Sequence, residues 1–269
     1  MKIGIHSFPS GQRTYVMGIL NVTPDSFSDG GRYNDLDRAI AQAEKMLEDG
    51  ADILDVGGES TKPGYVQIED KEEISRIVPV VQELKRRYDV PISIDTYKSA
   101  VAEAAFMVGA DLLNDIWGFR YDEKCAELAA RYDAAVCLMH NRDNTKYKNF
   151  MKEVKKDLRA SLAIAQKYGI KRDRIMLDPG VGFGKTREQN LTVMNHLEEI
   201  VAMGYPVLLG ASRKSVIGLT LDLPVDEREE GTIATSVIGA MKGCQFVRVH
   251  DVKKNVRALR MADAIRKEH

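Results

Sequence analysis

Val16-Met17-Gly18-Ile19-Leu20-Asn21 is an apolar run closed by a polar residue, and seven more runs of that form follow along the chain. Asp55 and Glu59 follow Ile53-Leu54, Asp95 closes Ile92-Ser93-Ile94, and Asn114 and Asp115 follow Leu112-Leu113. His140 closes Ala135-Val136-Cys137-Leu138-Met139, and Asp178 closes Ile175-Met176-Leu177. Ser212, Arg213 and Lys214 follow Val207-Leu208-Leu209, while Arg248 and His250 interleave with Val247 and Val249. The runs are short and apolar throughout, as parallel strands buried on both faces require. Gathered on one rim, their polar ends would stand where a parallel barrel places its chemistry.

Between the runs, apolar residues recur at three- and four-residue steps, the mark of helices that bury one stripe. Such stretches cover 36–47 and 74–84, and lie near 98–108, 123–132, 151–168, 187–203, 231–242 and 253–267. Thr186 with Gln189 predicts a capping box at the start of the sixth. Eight strands alternating with eight helices over 269 residues predict an α/β fold of the (β/α)8 TIM-barrel type. One domain is expected over 1–269, with a short extended segment at 2–8 and a Pro-Ser-Gly turn at 9–11. An open doubly wound sheet would place polar strand ends at one switch point; here they follow every strand. Residues 21–35 and 57–70, rich in Gly, Ser, Asp and Pro, are long enough to read as binding loops.

The formal net charge of −1 argues against bulk binding to nucleic acid or to an acidic membrane, so any anion site must be local. Cys125, Cys137 and Cys244 form no CxxC pair, which points to reduced thiols rather than zinc or a disulfide framework. The first residues carry no secretory signal, and no apolar run is long enough to span a bilayer. A cytoplasmic protein is expected.

Asp178-Pro179-Gly180-Val181-Gly182-Phe183-Gly184-Lys185-Thr186 looks like a phosphate loop at first sight. Pro179 stands where the P-loop pattern needs its first glycine, and GxGxxG also fails. The glycines still allow the backbone to approach a flat ligand, and Asp178 at a strand end suits a heterocycle rich in N–H groups. Asp95, Asp178, Asn114 and Lys214 make a donor and acceptor set suited to a guanidine-like edge. Arg248 and His250, on one face of the last strand, form a natural anion clamp unless Arg248 pairs with Asp55 or Asp251. Ser212, Arg213, Lys214 and Ser215 add anion-binding groups one strand earlier. Asn21 and Asp29 offer hard oxygen ligands for a magnesium ion shared with phosphates. GxSxG, HExxH and a Cys/His nucleophile arrangement are all missing from the sequence.

Taken together these segments resemble the dihydropteroate synthase family from residue 16 to residue 252. Gly18-Ile19-Leu20-Asn21-Val22-Thr23-Pro24-Asp25-Ser26-Phe27-Ser28-Asp29-Gly30-Gly31 resembles its first signature and Asp55-Val56-Gly57-Gly58-Glu59-Ser60-Thr61 its second. Ser93 to Thr96, Asn114-Asp115, Asp178 to Lys185, Gly210 to Ser215 and Arg248 to Val252 complete the set in family order. The resemblance implies condensation of a hydroxymethyl-dihydropterin diphosphate with p-aminobenzoate, with magnesium as cofactor. It assigns the pterin to Asp95, Asn114, Met139, Asp178, Phe183 and Lys214. It assigns aminobenzoate to Phe27, Thr61, Pro63, Ser212 and Lys214, the site sulfonamides occupy in this family. Diphosphate falls to Asn21, Thr61, Arg248 and His250, and the metal to Asn21 and Asp29. Asp95, Lys214 and Arg248 are the expected catalytic residues.

Two departures stand out. Lys62 replaces the family's usual Arg before Pro63-Gly64, and Lys cannot form the planar fork. After Met139-His140 the chain reads Asn141-Arg142-Asp143-Asn144-Thr145-Lys146 in place of a loop with Gly and Pro. A corrinoid-dependent methyltransferase domain would keep the pterin-holding Asp and Asn without needing Phe27, Ser212 to Lys214 or Arg248 and His250. A degenerate pterin-binding paralogue would have lost loop-one or anion-clamp residues, and none is lost. The small-sided apolar stretch 231–240 reads as a homodimer face or as tight packing on the barrel.

Overall fold

Along the barrel strands, residues that face inward alternate with residues that face the helices, and this period of two builds the molecule. The structure, a computed structural model, describes residues 1–23, 31–59 and 66–268, with the backbone alone at 31–34. A two-residue antiparallel pair, β1 (Lys2–Ile3) and β2 (His6–Ser7), precedes the barrel. The barrel strands are β3 (Tyr15–Asn21), β4 (Ile53–Gly57), β5 (Ile92–Asp95), β6 (Leu112–Asp115), β7 (Ala135–Met139), β8 (Ile175–Asp178), β9 (Leu208–Leu209) and β10 (Phe246–Val249). They pair in parallel in the order β8-β7-β6-β5-β4-β3-β10-β9. A parallel bridge between Leu177 and Val207 joins the two ends of that order, closing the ring.

Helices α1 (Gly31–Glu48), α2 (Asp70–Arg87), α3 (Ser99–Met107), α4 (Lys124–Arg131) and α5 (Phe150–Lys167) follow the first five barrel strands in turn. After β8 come α6 (Arg187–Asn195) and α7 (Leu197–Val201), after β9 come α8 (Ser215–Leu221) and α9 (Glu229–Met241), and α10 (Val252–Lys267) closes the chain. Three details correct the expected pattern. The first helix starts at Gly31 rather than Leu36, the stretch 187–203 is split at His196, and the short α8 has no counterpart among the eight expected helices. The capping box is present: Thr186 accepts from the Gln189 backbone, and Gln189 reaches back to Thr186.

Met17, Ile53, Leu112, Ala135, Cys137, Met176, Leu208 and Phe246 fill the barrel interior. Ile3, Phe8 and Tyr15 join that cluster, so the N-terminal pair plugs one mouth, with Phe8 edge-on to Tyr15 at 5.0 Å. Val16, Leu20, Leu54, Val56, Ile92 and Ile94 point the other way, against α1, α2 and α3. Leu113, Val136, Leu138, Ile175, Leu177 and Leu209 do the same on the far side. The open mouth is left to the polar strand ends.

Candidate active site

Five expected site residues, and Asp55 with them, stand two positions beyond an inward-facing residue of the same strand. Asp55 follows Ile53, Asp95 follows Ser93, Asn114 follows Leu112, Met139 follows Cys137, Asp178 follows Met176 and Arg248 follows Phe246. The pleat therefore turns all six into the mouth above the plugged interior. Register aligns them across strands: Asp95 pairs with Asn114, and Met139 with Asp178.

Arg248 stands at the centre of the charge. Its Nε donates to Asp55 Oδ2 at 2.6 Å and its Nη2 to Asp95 Oδ2 at 2.7 Å. Asn114 Nδ2 donates to the same Asp55 oxygen at 3.2 Å. The anion clamp is thus not an open one: two carboxylates hold its guanidinium, while Asp251 instead caps α10 through the Lys254 backbone. Among the described residues, Oδ1 of Asp55 and Oδ1 of Asp95 are buried without a hydrogen-bond partner. Such orphaned acceptors ask for a ligand's N–H groups. Burial pushes the Asp95 carboxyl up, to about 7, with Asp55 and Glu73 adding to the rise and Arg248 and Lys214 opposing it. Burial works against the charge on Arg248, but Asp55 and Asp95 outweigh it and keep the group cationic.

Across the mouth, Asp178 Oδ1 accepts from the Gly180 backbone at 2.6 Å, and burial raises its pKa. Lys214 precedes α8; its Nζ donates to the Val181 carbonyl at 2.6 Å and lies 4.7 Å from the centre of the Phe183 ring. Burial pushes Lys214 down to about 8, with Arg248 in the same direction and Asp178 and Asp95 opposing. Phe183 packs with Met139, Ile116, Tyr97 and Trp117, giving the apolar wall that a flat ring needs.

Asn21 ends β3, half-buried, with its Oδ1 3.5 Å from where a side chain on Gly57 would begin; Asp95 Cβ is 3.6 Å from the same point. Ser212 Oγ and His250 Nδ1 are 2.9 Å apart, and the His250 backbone N–H donates to the same hydroxyl at 3.2 Å. These contacts tie together the chain ends beyond β9 and β10. Phe27, Asp29, Thr61, Lys62 and Pro63 lie outside the described residues. Among the described residues, no group of three or more His, Cys, Asp or Glu is arranged to hold a metal.

Two buried charge clusters beside the mouth were not among the expected site residues. Lys98 Nζ bonds Glu59 at 2.7 Å, Glu73 at 2.8 Å and the Ile68 carbonyl at 2.8 Å, while the Tyr97 hydroxyl donates to Glu59 at 2.7 Å. Ile68 also donates its N–H to Glu59 at 2.7 Å, so the exit of the second loop is pinned from both sides. The second cluster runs from Asp157 through His140 to Lys185, at 3.2 and 2.8 Å. Burial pushes His140 down to about 4 and Lys185 down to about 7. Asp55, too, was read as a strand end and a possible Arg partner but not as a site residue. For Asp55, Glu59, Lys98 and His140, a polar or charged residue in a segment that buries nearly everything else is the sequence signal; Glu73, Asp157 and Lys185 lie in stretches of mixed burial and carry none.

Comparison with known proteins agrees with this geometry. The pterin-binding enzyme family matches residues 17–250. A dihydropteroate synthase of Clostridium beijerinckii is 59% identical over 266 residues, covering 98% of this chain and 99% of that protein. The crystal structure of a Clostridium difficile dihydropteroate synthase, obtained in the presence of pteroic acid, is similar at a TM-score of 0.95 and 52% identity, covering 97% of this chain and 100% of that one. A Yersinia pestis dihydropteroate synthase complexed with a sulfonamide drug is similar at a TM-score of 0.91 and 41% identity, covering 97% of each chain.

Proposed function

We propose how this chain, which belongs to the pterin-binding enzyme family and within it to the dihydropteroate synthases, divides its reaction among the residues of the mouth. The chain is a transferase of folate biosynthesis. It condenses 6-hydroxymethyl-7,8-dihydropterin diphosphate with p-aminobenzoate to give 7,8-dihydropteroate and diphosphate. The observation that carries the division of roles is the Asp55–Arg248–Asp95 pairing, with Asp178 and Lys214 grouped beside Arg248 around Gly210.

Asp95, Asn114, Asp178 and Lys214 take the guanidine-like edge of the pterin, and Met139 and Phe183 sandwich its ring. The orphaned Asp95 oxygen supports this placement, because a buried acceptor without a partner is costly until a ligand supplies one. The bond from the exocyclic methylene to diphosphate breaks first, and its electron pair leaves with diphosphate. Asp95 stabilises the resulting cation, which is delocalised into the ring, through a dipole and charge arrangement already in place. Arg248 uses two of its five donors on Asp55 and Asp95, which leaves the others for the departing diphosphate. His250 and Asn21 complete the diphosphate site with Thr61. The aminobenzoate nitrogen then gives its lone pair to the cation, and the proton it sheds passes to water. No strong general base is required.

Asn21 and Asp29 would hold Mg2+. An amide oxygen and a carboxylate suit a hard cation that shares its coordination with phosphate oxygens, and the half-buried Asn21 amide stands beside Asp95 at the mouth. The ion, when bound, supplies charge neutralisation for the leaving diphosphate. Phe27, Thr61 and Pro63, with Ser212 and Lys214, shape the aminobenzoate site. Pteroic acid joins a pterin to an aminobenzoate unit, and its use with the Clostridium difficile relative supports adjacent sites for the two. The sulfonamide complex of the Yersinia pestis relative supports sulfonamides as inhibitors of this chain as well.

A homodimer and a cytoplasmic location complete the reading. On α9, Gly239 packs so closely that an added Cβ would meet Leu209 at 2.6 Å, whereas Ile238 and Met241 are exposed. Leu219 and Leu221 on α8 and Met261 and Ile265 on α10 are exposed and apolar as well, which supports a subunit interface formed by these helices. Cys125, Cys137 and Cys244 are free and buried, which suits a reducing compartment. No helix among the described residues is long and apolar enough to cross a membrane.

Incubating purified protein with the pterin diphosphate, Mg2+ and p-aminobenzoate tests the assignment. Equimolar dihydropteroate and diphosphate, lost together in Asp95→Ala, are the expected result. Unchanged turnover in Asp95→Ala would refute the role given to that carboxylate.

A further inference from the structure

Three hydrogen bonds converge on one buried lysine amine beside the pterin wall. Lys185, 8% exposed, directs Nζ to His140 Nδ1 at 2.8 Å, to the Gly180 carbonyl at 2.9 Å and to the Phe183 carbonyl at 3.0 Å. An ammonium has three donors and no acceptor, so these partners use it completely. His140 is itself buried, and its Nε2 lies 3.2 Å from Asp157 Oδ2, which also accepts from Arg142 Nε at 2.6 Å. An ionised Asp157 needs a proton on Nε2, and a charged Lys185 needs a lone pair on Nδ1. Both neighbours therefore select one neutral tautomer of His140. A continuous chain of polar contacts thus runs from α5 to two carbonyls of the glycine turn after β8.

That turn carries the pocket. Phe183 N–H donates to the Gly180 carbonyl at 3.1 Å, and the Val181 carbonyl between them receives Lys214. Gly180 sits at φ +68°, where an added Cβ would fall 1.8 Å from the His140 carbonyl, so the turn is seated directly on the chain beyond β7. Nothing in the division of catalytic roles uses Lys185. We propose that Lys185 is a positioning residue for the pterin pocket: by holding the Gly180 and Phe183 carbonyls against His140, it places the Phe183 ring and the carbonyl that orients Lys214. The proposal rests on Phe183, Asp178 and Lys214 being the residues that hold the pterin. It explains why a buried lysine, which costs several kcal/mol to desolvate as an ion, stands there with neutral acceptors as its direct partners.

The test measures KM for the pterin diphosphate and KM for p-aminobenzoate separately, with thermal melting, in wild type, Lys185→Met, Lys185→Gln and Asp157→Asn. Lys185→Met is expected to raise the pterin KM about tenfold or more, the loss of one to two charge-assisted hydrogen bonds. The aminobenzoate KM at saturating pterin should change by less than about twofold, well under one such bond. Lys185→Gln, whose amide keeps two donors, should recover part of the loss. Should Lys185→Met fail to fold, Asp157→Asn decides: it removes the charge that sets the His140 tautomer from the half-buried end of the chain, and should raise the same KM alone. Variants that melt lower but shift both KM values in parallel, or shift neither, would overturn the positioning role. A wild type that fails to bind the pterin would instead overturn the pocket reading on which the proposal rests, and the proposal with it.

Discussion

Arg248 Nε donates to Asp55 Oδ2 at 2.6 Å across 193 residues of sequence, and this bond joins the last barrel strand to the second at the centre of the mouth. With Asp95 on Nη2, the guanidinium neutralises two buried carboxylates while keeping donors for an anion. In the proposed division of roles, the pairing ties fold and reaction to one residue.

Replacing Arg248 by Met should therefore cost stability as well as activity. Two carboxylates would be left buried without their cation, a loss of about 3–5 kcal/mol. Chemical denaturation should show a lower midpoint at constant slope, and diphosphate release should disappear. Arg248→Lys should keep part of the stability but little activity, because an ammonium cannot span both carboxylates in the planar geometry.

Asp178→Asn separates binding from folding. The remaining amide oxygen can still accept from Gly180, so the turn should persist and melting should change little. Loss of the charge on the pterin edge should raise KM for the pterin diphosphate roughly tenfold to a hundredfold. Steady-state kinetics beside a melting curve measure both.

Activity should follow a bell-shaped pH profile. Asp95 must be ionised to stabilise the cation, and with its carboxyl raised to about 7 by burial, kcat/KM should fall as pH drops through 7. Lys214 must be charged, and with burial holding it near 8, kcat/KM should fall again as pH rises through that value. The two limbs belong to the interacting set rather than to single residues. Lys214→Arg, which stays charged throughout, should flatten the alkaline limb and leave the acid one.

His140 predicts a loss of stability in mild acid. Its pKa is pushed down to about 4 by burial, so the unfolded chain binds a proton between pH 6.5 and 4 that the folded protein refuses. Stability is thus full above 6.5 and falls as pH drops toward 4, by roughly 3 kcal/mol over that interval. Denaturation midpoints measured in steps of pH should show this slope, and His140→Gln should reduce it while lowering stability near neutral pH.

Lys98→Met should leave Glu59 and Glu73 buried and unpaired, at a cost of about 3–5 kcal/mol. Burial already pushes Glu73 up against the pull of Lys98. Combining Lys98→Met with Glu59→Gln and Glu73→Gln should restore much of the melting temperature. If the single and the triple variant melt alike, the ion cluster has no such role.

The barrel was legible because one local rule, an apolar run with a polar end, repeats eight times. Asp95, Asn114, Asp178 and Arg248 were legible for the same reason, since the pleat fixes the direction of a residue two places past an inward neighbour. What escaped was everything that depends on distance along the chain. Arg248 could be given Asp55 or Asp251 as a partner, but its sharing between Asp55 and Asp95 needs the closed ring. Glu59 and Lys98, 39 residues apart, carry no local sign of each other. The early start of α1 at Gly31 runs against glycine's poor helix propensity, and the break at His196 and the short α8 lack strong stop and start signals.

The order of bond breaking is the central chemical claim, and diphosphate release from the pterin diphosphate with Mg2+ but without p-aminobenzoate tests it most directly. The account predicts slow release that yields the hydroxymethyl pterin as water traps the cation, faster release with dihydropteroate once the amine is added, and neither in Asp95→Ala. A protein that binds the pterin diphosphate yet releases nothing until the amine is present would contradict the dissociative order.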